Sequence, residues 1–124
     1  MKKLFLVLLF FSLSITAQKA EQYVVEYDYI MLFEKGKKPK EYEATTRVFF
    51  NYNNIGSRIK IYYFDKIYDF IKVGNLTEGQ TKKGEKFKGM MVIDQNKTQA
   101  YIQLFEKDGT LRLIFTKLRV EFYN

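Results

Sequence analysis

Alternation with a period of two runs through most of this chain and predicts an all-β protein. The expected fold is one small antiparallel meander of seven or eight strands, closed into a barrel or a strongly curved sheet. Three observations carry that expectation. Apolar and polar residues alternate in run after run. Gly, Asn, Asp and the single Pro punctuate those runs at short intervals, and no repeat, low-complexity tract or interdomain linker interrupts them. A two-sheet sandwich is the alternative arrangement.

Residues 1–17 stand apart from this pattern. The segment opens on Lys2 and Lys3, runs apolar through residues 4–11 and on to Ile15, and finishes at the small residue Ala17. That is the order of a secretory signal peptide. The run is shorter than the roughly 20 apolar residues a membrane-spanning helix needs. No Cys follows it, so a lipid anchor on cysteine is unavailable. The expected organisation is therefore a cleaved signal peptide, 1–17, and a single soluble all-β domain, 18–124, in the periplasm or outside the cell. Export permits disulfides, yet the chain has no Cys, so its stability rests on packing. All ten Tyr and nine of the twelve Phe lie after Ala17 to supply it.

The elements follow in order. In YVVEYDYIMLF (23–33) the odd positions Tyr23, Val25, Tyr27, Tyr29, Met31 and Phe33 form the expected apolar face, with Glu26 and Asp28 opposite. Gly36 and Pro39 then mark a lysine-rich loop. The second strand, 42–52, sets Ala44, Thr46, Val48 and Phe50 on one side; NNIG (53–56) turns the chain. The third, 57–64, sets Ile59, Ile61 and Tyr63 opposite Arg58 and Lys60. Residues 64–73 fit helical spacing at Phe64, Ile67, Tyr68 and Ile71, but their aromatic and β-branched content favours a strand. A polar segment, 74–86, reads as a loop. The next strand alternates through Phe87, Gly89, Met91 and Ile93. QNK (95–97) and Asp108-Gly109 turn the chain again, and the alternation slips at Thr116-Lys117, which reads as a bulge or bend.

Absences narrow the chemistry. Without His or Cys there is no imidazole base, no thiol nucleophile and no zinc site of the usual kinds. Ser57 is the sole serine after the leader and has no motif around it. The stretch DQNKT (94–98) imitates the start of a calcium loop, but Gln99 stands where Gly is required and Phe105 where a bidentate Glu is required. It reads as a hairpin turn. In GQTKKGEKFKG (79–89) two glycines have phosphate-loop spacing, but Glu85 and Lys86 follow where Lys and Ser or Thr belong. That stretch reads as a hairpin rim, with Phe87 as a core residue beneath it. The carboxylate pairs Glu26 with Asp28 and Glu41 with Glu43 are the only candidates for glycoside chemistry, and cross-strand charge pairing explains them more simply. Neither a cofactor nor a metal is expected. Removing Lys2 and Lys3 leaves 19 basic residues against 14 acids, a net +5 that suits anionic surfaces without demanding nucleic acid.

One feature resists a plain half-solvated sheet. Apolar residues also occupy the nominally outward face: Ile30 and Leu32, Phe49, Tyr62 and Phe64, Met90 and Val92. Two-sided burial, a contact with another chain, or a ligand cavity would each account for them. The resulting expectation is a non-catalytic exported domain that binds an envelope protein or a small apolar or anionic ligand. Its contact residues are expected to be Phe49, Tyr62 and Phe64, with Arg58 and Lys60 supplying charge. A carboxylate-dependent hydrolase of envelope glycans and a structural homo-oligomer are the alternatives.

Overall fold

The computed structural model describes residues 20–124, so the expected signal peptide lies outside the described residues. Eight antiparallel strands follow one another around a closed barrel: β1 (Tyr23–Glu34), β2 (Lys40–Phe50), β3 (Arg58–Tyr63), β4 (Lys66–Gln80), β5 (Lys86–Ile93), β6 (Gln99–Phe105), β7 (Leu111–Ile114) and β8 (Leu118–Tyr123). Each strand pairs with its sequence neighbour, and β1 pairs with β8 to close the ring. The sheet does not split into two, so the barrel is the architecture and not the sandwich.

An eight-stranded barrel encloses just enough room for side chains to fill. The interior here is lined by Tyr27, Tyr63, Phe70 and Phe122 together with Ile, Leu and Val side chains, nearly all without exposure. Burying each of those rings stabilises the fold by roughly 1.5–3 kcal/mol. The buried hydroxyls find local partners: Tyr27 donates to the Gly109 carbonyl at 2.7 Å, and the Tyr63 and Tyr68 hydroxyls share a hydrogen bond of 3.1 Å. Thr46 is the exception. It sits fully buried between its cross-strand neighbours Tyr27 and Tyr63, and its Oγ1 has no hydrogen-bond partner among the described residues.

Three sequence expectations change. On β1 the register with β2 shifts by one residue between Tyr27 and Tyr29. Tyr27 and Ile30 therefore both face the interior, three positions apart, and Leu32 follows Ile30 inward. Tyr29, Met31 and Phe33 turn outward, against the expected apolar face. On β5 the inward residues are Met90 and Val92, whereas Met91 is exposed outside. Phe87 also lies outside the core: its ring covers Gly79 and packs against Phe105 at 5.5 Å. Four of the seven surplus residues, Ile30, Leu32, Met90 and Val92, thus disappear into the barrel.

The third change concerns length. The segment 64–73 is strand, as its composition favoured, but the strand continues to Gln80 through most of the expected loop. Thr77–Gln80 pair with Lys86–Gly89, leaving a short turn at 81–85 in which Gly84 takes φ +89°. The stretch 79–89 is thus a hairpin. At Thr116-Lys117 the slip in alternation marks a bend, one of the two forms expected there. The Phe115 N–H donates to the Leu118 carbonyl at 2.7 Å, so these residues form a tight turn between β7 and β8.

Candidate functional site

Barrel walls expose every second residue, so outward side chains of adjacent strands meet in rows. On β2 those residues are Thr45, Arg47 and Phe49; on β3 they are Lys60 and Tyr62. The register sets Arg47 opposite Tyr62 and Phe49 opposite Lys60. Phe49 meets Tyr62 edge-on at 5.4 Å and Tyr52 edge-on at 6.1 Å. At the β3–β4 turn Phe64 meets Tyr42 edge-on at 5.3 Å.

Between these rings runs an open groove of about 440 Å³ lined by Thr45, Arg47, Phe49, Tyr62 and Phe64. Three of the five expected contact residues line it. The other two do not. Arg58 is held by Asp69 in a paired contact of 2.8 and 3.0 Å from one guanidinium nitrogen. Lys60 lies over the rings of Tyr52 and Tyr62 at 4.6 and 5.6 Å, and its hydrogen bond to Tyr62 holds its ammonium above the usual lysine range. The charge in the groove comes instead from Arg47. Among the described residues its only ion pair is a 4.0 Å contact with Glu26, both side chains more than half exposed, and such a pair holds the guanidinium weakly. Thr45 and Arg47 were legible in the sequence as the period-two continuation of Phe49.

Phe64 is the unusual member. It is 50% exposed and its backbone has φ +53°. A left-handed conformation costs an L-residue roughly 1–2 kcal/mol and is normally left to Gly, Asn or Asp in such turns. Here a bulky ring occupies it and points into solvent at the rim of the groove.

Elsewhere on the outer wall, Glu121 is nearly covered between two arginines. Arg112 Nε approaches its Oε1 at 2.6 Å and Arg119 Nε at 3.6 Å. The Arg112 N–H does not point along its contact and Arg119 Nε stands beyond hydrogen-bond reach, so both associations are ionic and not directed hydrogen bonds. The guanidinium groups lie over Phe105 at 4.4 Å and Phe33 at 4.0 Å. This cluster ties β1, β6, β7 and β8 together. Two guanidinium groups against one carboxylate leave the cluster with one positive charge in excess.

The carboxylates Glu26, Asp28, Glu41 and Glu43 all stand exposed on the outer wall. Among the described residues no group of three or more His, Cys, Asp or Glu gathers to hold a metal. No helix of the described residues is long and apolar enough to cross a membrane. No protein-family model, curated protein or solved structure matches the chain.

Proposed function

We propose that this is an exported, non-catalytic binding domain that recognises its partner on the outer wall of β2 and β3. The observation that carries the reading is Phe64, an exposed ring held at positive φ beside the Arg47–Phe49–Tyr62 groove. Backbone strain and exposed aromatic area both work against folding, and binding sites are where such features cluster. The packed interior supports an external site over a luminal one. An apolar or aromatic group followed by an anion fits the groove chemically, the ring seated against Phe49, Tyr62 and Phe64 and the anion on Arg47. A segment of an envelope protein or a small amphiphilic anion has that character.

The test is native mass spectrometry and partner capture from the exporting host. Wild-type chain should carry a reproducible adduct or partner, and Tyr62→Ser/Phe64→Ser should lose it while retaining its fold. Loss of folding stability alone, with every interaction intact, would sink the reading.

A second reading, a structural homo-oligomer, is favoured by one observation. β3 pairs with β4 only as far as Ile71, so β4 from Val73 onward presents a mostly exposed edge. Mass in solution that rises with concentration would favour it over a monomeric binder.

A further inference from the structure

The topology sorts charge between the two ends of the barrel. Connections 35–39, 64–65, 94–98 and 115–117 meet at one end. The first, with its flanking strand residue, brings Lys35, Lys37, Lys38 and Lys40; the second brings Lys66, likewise the flanking strand residue, and the other two bring Lys97 and Lys117. All seven are exposed. Against them stand three acids. Glu34 is paired with Lys37 at 3.1 Å, the Asp94 carboxylate accepts the Asn96 and Thr98 N–H groups, and Asp65 sits in the β3–β4 turn. Seven bases against three acids leave an excess of four positive charges. At the opposite end Arg58, Lys82, Lys83, Lys86 and Lys107 face Glu21, Glu85, Glu106 and Asp108, an excess of one. The modest net charge of the chain is therefore concentrated at one end.

That same end carries exposed apolar side chains, Phe64 at 50% and Ile67 at 48%. We propose that this basic end docks onto an anionic phospholipid surface, with the lysines at the headgroup phosphates and Phe64 and Ile67 entering the headgroup–acyl boundary. Three features select this occupant. All the basic residues in the four connections are Lys, which acts as a point charge and suits a diffuse planar array of phosphates; recognition of one defined phosphate favours the arginine fork. The lysines stand at all four connections, so they form a crown around the barrel axis and not a track for a strand. Ile67 has no ring on which a base could stack, whereas an aliphatic side chain is at home in the lipid boundary.

The test is vesicle co-sedimentation of the chain from Gln18, which carries every strand and core residue named above. It should sediment with vesicles containing phosphatidylglycerol and stay in solution with phosphatidylcholine alone. Retention should fade as salt shortens the Debye length from about 10 Å at 0.1 M to about 3 Å at 1 M. Each lysine near the surface is worth about fivefold in affinity, so K35Q/K37Q/K38Q/K40Q should weaken retention by roughly a hundredfold or more. K82Q/K83Q/K86Q removes a similar charge from the far end and should change it by less than about threefold. Circular dichroism checks folding, and K66Q/K97Q/K117Q carries the same test if the quadruple variant does not fold. Equal losses at both ends, equal retention on both vesicles, no retention on either, or tighter binding to duplex DNA than to the anionic vesicles would each overturn the proposal. None of the substituted lysines lines the Arg47 groove, so failure here leaves the partner reading intact.

Discussion

The side chain of Asn124 bridges the backbone of β1 at its irregularity. Its Oδ1 accepts the Asp28 N–H at 2.9 Å, and its Nδ2 donates to the Glu26 carbonyl at 3.3 Å. These bonds hold the register shift that turns Ile30 and Leu32 into the core. They also fasten the last residue of the chain to the first strand.

Asn124→Ala should therefore cost about 1 kcal/mol, the usual net value of such a bond. Urea denaturation measures the loss, and hydrogen exchange should speed up at Asp28 more than on β5. An unchanged Asp28 amide would show that the β1–β2 pairing holds the shift without help.

Thr46→Val should stabilise the protein by about 1 kcal/mol. The hydroxyl is buried without a hydrogen-bond partner among the described residues, and replacing it with a methyl of similar size removes an unmet desolvation cost. A lower midpoint in urea would mean that Oγ1 is satisfied in solution.

Gly89 lies under the ring of Tyr101 on the outer wall, and a Cβ at position 89 would overlap that ring. Gly89→Ala should destabilise by about 1–3 kcal/mol through overpacking. The double variant Gly89→Ala/Tyr101→Ala should cost less than the two single changes added together, because the clash is then gone. Additive losses would place the cost in the backbone and not in the ring.

Phe64→Gly should leave stability within about 1 kcal/mol of wild type. Relief of the positive-φ strain offsets the loss of a half-buried ring. Binding through the Arg47 groove should nevertheless fall. A large drop in thermal midpoint would show that Phe64 serves the fold first.

Alkaline pH should unfold the barrel from within. Burial pushes the Tyr27 hydroxyl up to about 12, and burial with the Tyr68 hydrogen bond raises Tyr63 further. A raised folded pKa means that the folded state keeps its proton where the unfolded chain loses it. The contribution is complete below pH 10 and declines as pH rises through the folded value. For Tyr27 that amounts to roughly 2–3 kcal/mol between pH 10 and 12. Tyr27→Phe should flatten that part of the profile, at a cost of about 1 kcal/mol at neutral pH for the lost bond to Gly109. Urea denaturation of both proteins at pH 7 and at steps between pH 10 and 12 measures both.

By itself the sequence determined that this is a β protein of short hairpins, and it located most of the turns. Period two is a local property, and so is the chemistry of Asn-Asn, Asp-Gly and Gly at a turn. It also placed Phe49, Tyr62 and Phe64 among the outward residues, because Val48, Ile61 and Tyr63 beside them leave no doubt which parity is the core. Only the tertiary structure decided the inside of β1 and β5. Both faces of those strands are apolar, so alternation defines two faces without ranking them. The ranking comes from pairing: the shift at Asp28 reverses the parity of β1, and the pairing of Met90 with Ile102 and Val92 with Ala100 turns that face of β5 inward. The same strand pairing left Arg58 bound to Asp69 and Arg47 almost free, and the closed ring gathered the lysines of four connections at one end. Which charge is available and which apolar face is covered depend on neighbours on the adjoining strands, and alternation within one strand does not encode them.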